Sequence, residues 1–340
     1  MSKMMLASLL QYGLFADAPL PSGLPLSESE WQALFDESRR QAVTALTYDA
    51  ILMLPAEVRP SRKVLFRFYS LAQTIEDDNR RREKALDDFM ELCRRKLDCV
   101  PTVVKGSSLA CLYREPLHRE CGDNDLLTGV DTERVGAMVE GMGIAVDRKD
   151  PRHISFMFEK TTFECHSYLL YHNDDPEWHS CRIANSETLQ GLPAEESAFF
   201  LAKHCEHHAV FFHNPVRLRT LIDWCLLLGS KGFDFDAFDC MKRGTDVDVF
   251  ADLMTLYCQQ LFGVVLRDGL TTLQAKGLKA DDFYNIYMLC PERHRRAVVR
   301  VARRSWKYLR YGRQYRAIYG RSMFRRFYLQ NLRVAIGQHL

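Results

Sequence analysis

The spacing of hydrophobic residues changes twice along this 340-residue chain, and this limits the folds that it can adopt. Up to about residue 97 the spacing is that of amphipathic helices. Between about 98 and 172 it shortens to alternating runs separated by turn residues, which is typical of strands. Helical spacing then returns. The sequence therefore predicts an α+β protein, with a mixed α/β sheet domain at 98–172 between helical regions at 1–97 and 173–340.

The N-terminal region carries several helix signals. Ser27 or Ser29 can cap a helix through Phe35, and a long charged helix is expected after Pro60. A first amphipathic helix, rather than a secretory signal, is expected at the N-terminus because residues 11–13 interrupt the apolar stretch. The long helix should bury one face, formed by Leu86, Phe89, Met90, Cys93 and Leu97.

The central and C-terminal regions divide into elements at their turn residues. Asp131 is expected to cap a helix. The predicted strands are 100–104, 123–128, 144–147, 153–158 and 162–169. The predicted helices are 107–113, 132–141, 197–212, 216–228 and 246–262.

Composition narrows the class of protein. The eleven cysteines include no Cys-x-x-Cys pair, which favours reduced thiols and a cytoplasmic location. Every uninterrupted apolar run is far shorter than the roughly 20 residues that cross a bilayer, so we expect no membrane insertion.

Charge is distributed unevenly. The net charge is +2, yet residues 293–333 contain thirteen arginines, one lysine and no acidic residue. Two interpretations of this basic tail stay open. Its aromatic residues could pack a pair of helices on the acidic remainder of the chain, or arginines and rings could form a nucleic-acid surface. The rings are Trp306, Tyr308, Tyr311, Tyr315, Tyr319, Phe324, Phe327 and Tyr328.

The residues most indicative of chemistry lie in the predicted sheet domain. Asp123 and Asp125 project from the same face of a strand, because successive strand side chains alternate. Two adjacent carboxylates indicate either a site for a hard divalent cation or a pair with a raised pKa. Glu164 could complete a three-carboxylate cluster if its strand is a neighbour. The Gly106-Ser107 turn suits the approach of a phosphate.

The order of these motifs resembles the DNA polymerase β-like nucleotidyltransferase superfamily. More narrowly, the chain is similar to a bacterial uncharacterised nucleotidyltransferase family, whose members read Leu-Lys-Gly, Tyr-Pro-x-Pro-x-x-Arg and Gly-Asp-Ile-Asp. Matching segments here are Val104-Lys105-Gly106, residues 113–119 and Gly122-Asp123-Asn124-Asp125. The family's third acidic motif and its Leu-Arg-x-Leu-x-Asp-Trp helix match 164–166 and 218–224.

The resemblance implies a nucleotidyltransferase fold and a metal site. Asp123 and Asp125 would bind the Mg²⁺ (or Mn²⁺) that carries a nucleoside triphosphate, and Glu164 would join them on a second metal ion. The resemblance also implies nucleotide-binding residues, namely Lys105, Gly106, Ser107, Arg119 and Arg219.

The implied activity is metal-dependent transfer of a nucleoside monophosphate group from a triphosphate to a hydroxyl of a small molecule, such as a sugar or sugar phosphate. Transfer to tRNA or another RNA is one alternative, and a non-catalytic nucleotide-binding or partner-binding module is another. Asn124 departs from the family pattern, since an apolar residue is usual there. Its amide would face the core, at a cost of roughly 1–3 kcal/mol if unpaired.

Two pairs at helical spacing have structural and functional interpretations. His204 and His208 could form part of a zinc site, although packing with a hydrogen bond to a neighbour is favoured. Arg219 and Asp223 are expected to form an ion pair within their helix, and Arg219 could also face the nucleotide.

Overall fold

The computed structural model describes residues 2–128, 130–149, 153–166, 192–210, 214–245, 247–289, 297–320 and 322. It is a mixed α/β structure with one five-stranded sheet, which confirms the predicted fold class. The chain forms two compact units, one comprising Met1–Leu201 and Arg217–Phe238, the other Ala202–Val216 and Asp239–Leu340. The division into three domains at 97 and 172 stays a prediction.

The N-terminal region is helical, as predicted. Ser27 caps the second helix in a reciprocal capping box with Glu30. The long helix has 36 residues and ends at Leu97, and the backbone of its capping residue Asp98 is left-handed. Its predicted apolar face is buried, except that Met90 is only partly buried. The helices are α1 (Ser2–Leu14), α2 (Glu28–Arg40), α3 (Thr44–Met53) and α4 (Arg62–Leu97), with a 3₁₀ turn at Ala56–Val58.

The sheet has the strand order β1-β2-β5-β4-β3. Only β2 and β5 are parallel, and the other neighbours are antiparallel. Short helices and turns connect the strands, and Asp131 caps α6 as predicted. The elements are β1 (Thr102–Val103), α5 (Ser107–Ala110), a 3₁₀ turn (Pro116–His118), β2 (Asn124–Leu127), α6 (Thr132–Glu140), β3 (Val146–Asp147), β4 (His153–Phe158) and β5 (Thr161–His166).

Several predicted strands were too long at their ends. The first is only two residues long, and in the described part of the chain β1 pairs with β2 alone, through Leu126 and Leu127. Asp123 precedes β2 rather than beginning it, since pairing starts at Asn124 opposite Phe163. The predicted strand 153–158 is confirmed. Residues 167–169, predicted as the end of the last strand, lie outside the described part of the chain.

Helices α4 and α6 cover one face of the sheet. Phe89 of α4 contacts Phe163 and Phe156, with ring centroids 4.9 and 5.3 Å apart. Val135 and Val139 of α6 join the same core. Because strand side chains alternate, the neighbouring positions of β2, β4 and β5 project from the opposite face.

The remaining described helices are α7 (Ala194–Val210), α8 (Leu218–Leu228), α9 (Phe235–Lys242), α10 (Asp248–Phe262), α11 (Thr271–Ala275), α12 (Ala280–Phe283), α13 (Ala297–Arg310) and α14 (Gly312–Tyr319), with a π-helical turn at Tyr284–Met288. Within the described residues, none of the helices combines the length and apolarity that a membrane span requires.

The described part of the basic tail forms two helices, α13 and α14, as one of the two interpretations expected. Tyr308 and Tyr315 are buried, with ring centroids 5.0 Å apart. Tyr319 donates or accepts a hydrogen bond with Tyr287 at 2.8 Å. Trp306, by contrast, is 62% exposed. Packing therefore accounts for some of the rings and not for all of them.

Candidate functional site

One face of the sheet gathers polar and ionisable side chains. The parallel register sets Asp125 of β2 directly opposite Glu164 of β5. The antiparallel register sets His153 of β4 opposite His166 of β5. These four side chains project away from the core that α4 and α6 cover, because their neighbours in each strand belong to it. We call this group, with Ser155, the site face.

The turn after β1 lies against the start of β2. Gly106 has φ +67°, and a Cβ at this position would approach the carbonyl oxygen of Asp123 to 3.3 Å. A side chain is therefore both strained and crowded there. Lys105 extends from the same turn, and its Nζ lies 2.8 Å from Asp125 Oδ1. The Oγ of Ser107 is buried and has no hydrogen-bond partner among the described residues.

Asp125 is only 2% exposed, yet it is held in its charged form. Burial by itself would raise its pKa, but the Lys105 ammonium and the His166 imidazole outweigh burial. His166 Nε2 lies 3.4 Å from the same carboxylate oxygen. The pKa of Asp125 is consequently well below its usual range. A buried anion with an adjacent cation therefore stands at the centre of the site face.

Three ligand-bearing side chains converge beside Asp125. The Nε2 atoms of His153 and His166 lie 3.9 and 3.8 Å from Glu164 Oε2. One ligand atom from each of the three lies within 4.8 Å of the other two. The two imidazole rings are 4.8 Å apart between centroids. This set of donors is the one group of metal-binding size in the described part of the chain.

Buried charges hold the segment that leads into β2. Arg119 is 4% exposed and donates from Nε and Nη2 to the two oxygens of Asp223, each at 2.7 Å. Tyr113 Oη donates to Asp223 Oδ1 at 2.6 Å. The expected ion pair between Arg219 and Asp223 is therefore wrong. Asp223 binds Arg119 instead, and Arg219 donates to the Glu120 carbonyl at 2.7 Å.

A histidine forms a second ionic anchor in this segment. His118 Nδ1 lies 2.7 Å from Asp49 and its Nε2 lies 2.9 Å from Glu76. Burial by itself would lower the pKa of His118, but the two carboxylates raise it to about 9. The hydrogen bond from His118 lowers the pKa of Glu76. His118 is therefore an imidazolium at neutral pH, and it ties the segment to α3 and α4.

Backbone contacts complete the anchoring. Asn79 of α4 donates to the carbonyls of Leu117 and Arg119 at 2.7 and 2.9 Å. Arg82 donates to the Gly122 carbonyl at 2.6 Å. Residues 113–122, which we call the anchored segment, thus reach Asp123 with their backbone fixed from several sides.

The predicted site residues fall into two groups. Lys105, Gly106, Ser107, Asp125 and Glu164 lie at the site face and its turn. Asp123 adjoins the turn through its backbone carbonyl. Arg119 and Arg219 make their contacts in and beside the anchored segment, and their role in nucleotide binding stays a prediction.

Sequence reasoning missed several polar residues. His153 lies on a different strand from Glu164, and only the strand pairing brings them together. The alternation of polar and apolar residues in His153–Phe158 is the one local signal of the sheet face on which His153 lies. His118, Asp49 and Glu76 come from three separate elements and carry no common spacing. His204 and His208 stack with ring centroids 4.1 Å apart, as the favoured packing interpretation expects, and zinc binding by them is an untested alternative.

Comparison with known families identifies the chain. The model of an uncharacterised nucleotidyltransferase family matches residues 27–263, which is more than half of the sequence, so the chain belongs to that family. The mixed α/β architecture is consistent with a nucleotidyltransferase fold. Neither a search of curated proteins nor a search of solved structures gave a significant match. A bacterial origin and membership of the DNA polymerase β-like superfamily stay predictions.

Proposed function

We propose that this member of the uncharacterised nucleotidyltransferase family transfers a nucleoside monophosphate group from a nucleoside triphosphate to a hydroxyl group. The observation that carries the proposal is the pairing of Asp125 with Glu164 across two parallel strands, beside the Lys105-Gly106-Ser107 turn. Phosphoryl chemistry depends mainly on positioning and on neutralising phosphate charge, and this arrangement supplies groups for both.

The donor set suits a divalent cation. Asp125 is ionised although it is buried, and Glu164 lies beside it in the register. With Asp123 they would hold Mg²⁺ or Mn²⁺, and such an ion would neutralise phosphate oxygens and polarise the phosphorus. The unpartnered hydroxyl of Ser107 fits a phosphate oxygen acceptor.

The Lys105 ammonium would change its partner when a ligand binds. Without a ligand its ammonium neutralises Asp125 at 2.8 Å. A cation on Asp125 would repel that ammonium, and a triphosphate on the Gly106-Ser107 turn would attract it. Lys105 would then move its charge from the carboxylate to the phosphate tail. Arg119 and Arg219, the other predicted nucleotide partners, would act by holding the anchored segment in place.

The acceptor in our proposal is a small molecule, such as a sugar or sugar phosphate, in a reducing cytoplasmic setting. The nine described cysteines are free thiols, which supports the reducing environment. RNA is the second candidate acceptor, and the exposed Trp306 on the arginine-rich helix α13 is the observation that favours it. Transfer of labelled nucleotide to a sugar phosphate panel, with tRNA in parallel, distinguishes these candidates.

Thermal unfolding with Mg²⁺ and a non-hydrolysable triphosphate tests the site. A ligand that binds only the native state raises the melting temperature of the wild-type protein. Asp123→Asn combined with Asp125→Asn should abolish this shift. The control is Asp147→Asn, which removes an exposed carboxylate from β3 of the same sheet and should leave the shift intact. An undiminished shift in the double variant would show that the triphosphate binds elsewhere.

The basic tail has its own test. Replacing Arg303, Arg304 and Arg310 should lower stability and leave RNA binding negligible if the tail serves packing. If the tail binds RNA, the wild-type protein should bind tRNA with strong salt dependence, and the replacement should flatten that dependence. We expect the first result.

A further inference from the structure

We propose that His153, Glu164 and His166 form a site for a first-row transition-metal dication of the Zn²⁺ type. The site shares Glu164 with the proposed nucleotidyl-transfer site, and in this respect it rests on that proposal. It differs in ligand chemistry, because two of its three donors are imidazole nitrogens. Imidazole favours zinc and its neighbours, whereas Mg²⁺ requires oxygen ligands.

The distances suit a metal ion better than direct hydrogen bonds. Both Nε2 atoms lie 3.8–3.9 Å from Glu164 Oε2, which exceeds the usual hydrogen-bond length. Ligands bonded to zinc at about 2.1 Å in a tetrahedron are roughly 3.4 Å apart. Each histidine nitrogen would therefore need to approach Glu164 by only about half an ångström, and the three ligand atoms already lie within 4.8 Å of one another.

The strands fix these donors in place. His153 and His166 are paired across β4 and β5, and Glu164 lies two residues before His166 on the same face. Donors on paired strands need little reorganisation to bind an ion. All three side chains are 13–27% exposed, so solvent can reach the group. Three protein ligands with an open position are typical of catalytic rather than structural zinc sites.

The neighbouring charges allow a cation here. His166 Nε2 also faces Asp125 Oδ1 at 3.4 Å, and Lys105 contacts the same oxygen at 2.8 Å. Lys105 balances Asp125, and the carboxylate grouped with the two histidines is that of Glu164. An ion bound by Glu164 and the two histidines would lie beside Asp125 and thus next to the proposed triphosphate site.

Co²⁺ titration of the full-length protein without nucleotide tests this site. We expect one Co²⁺ per chain, with visible absorption typical of nitrogen and oxygen ligands, displaced by Zn²⁺ and not by excess Mg²⁺. His153→Gln and His166→Gln should each weaken Co²⁺ binding at least about tenfold. The matched control Met157→Gln places the same side chain at an exposed position on the same face of β4, and it should bind as the wild type does.

Several results would overturn the proposal. The first is the absence of stoichiometric Co²⁺ binding. The second is Co²⁺ binding by both histidine variants that equals binding by the wild-type protein. The third is an absorption band from thiolate ligands, which would assign the ion to cysteines. If the variants do not fold, wild-type crystals soaked in Zn²⁺ decide the matter. An anomalous peak within about 2.1 Å of both Nε2 atoms supports the site, and a peak elsewhere refutes it.

The experiment also separates this site from the proposed function. Asp123→Asn should lose the Mg²⁺-triphosphate shift and retain Co²⁺ binding in the absence of nucleotide. Wild-type protein that binds Co²⁺ at the histidines but shows no triphosphate shift would refute nucleotidyl transfer alone. Triphosphate binding without Co²⁺ binding would refute the transition-metal site alone.

Discussion

Different interactions stabilise the core face of the sheet and the anchored segment. The core face packs Phe163, Phe156 and Phe89 with almost no exposure. The anchored segment instead uses ionic contacts, with Arg119 on Asp223 and His118 between two carboxylates. Apolar contacts tolerate shifts along a surface, whereas bidentate ion pairs fix both position and orientation. The comparison indicates that ionic contacts and hydrogen bonds, rather than apolar packing, fix the backbone that leads into Asp123 and Asp125.

The largest expected effect lies on the core face. Phe163→Ala should lower the free energy of unfolding by about 3–5 kcal/mol, because it leaves a cavity beside Phe89. Its strand neighbour Glu164 faces the other way, and Glu164→Gln should change the free energy by less than about 1 kcal/mol while removing metal-dependent triphosphate binding. Urea unfolding of both variants measures the contrast. Equal destabilisation would contradict the division between the two faces.

Removing one partner of the Arg119–Asp223 ion pair should lower the free energy of unfolding nearly as much as Phe163→Ala does. Asp223→Ala leaves Arg119 buried without its counter-charge, and we expect a loss of at least about 3 kcal/mol in urea unfolding. Changing both residues, as Arg119→Met with Asp223→Leu, should recover much of that loss because no charge is then stranded. If the double variant is as unstable as Asp223→Ala, then the packing of these side chains, rather than their charges, stabilises the anchored segment.

The anchored segment should respond to pH through His118. Its pKa rises from about 6.5 in the unfolded chain to about 9 in the folded protein. The stabilisation is therefore complete below about pH 6.5 and is lost as pH rises through about 9. It amounts to at most about 3 kcal/mol, since Asp49 is partly exposed.

Urea unfolding between pH 6 and 9.5 measures this contribution as the difference between the wild-type protein and His118→Gln. The difference should shrink as pH rises, whereas Phe163→Ala should be displaced from the wild type by a constant amount. A constant difference for His118→Gln as well would show that folding does not raise the pKa of His118.

The smallest expected effect is a gain in stability. Asn124 is 3% exposed on the core face, and its Nδ2 has no hydrogen-bond partner among the described residues. Asn124→Leu should raise the free energy of unfolding by about 1 kcal/mol, because it removes an unsatisfied donor and adds apolar contact. A loss of stability in the same urea experiment would mean that the amide has a partner, such as a buried water molecule.

The sequence by itself determined the class of fold and most of its elements. Spacing located α4, its apolar face and the strand His153–Phe158. Residue type located the cap Asp131 and limited the cap of α2 to Ser27 or Ser29, of which the structure uses Ser27. It also marked Asn124 as a polar residue directed to the core. These features follow from local periodicity and capping, in which each residue interacts with others only a few positions away.

Tertiary structure decided the partners of the charged residues. Asp223 lies four residues from Arg219 but binds Arg119, which is 104 residues distant in the chain. His153 meets Glu164 only because a turn folds β4 back onto β5. A buried charge is stable only when a counter-charge contacts it with good geometry. Which counter-charge does so depends on how the apolar surfaces pack, and the spacing of residues in the sequence does not determine that packing.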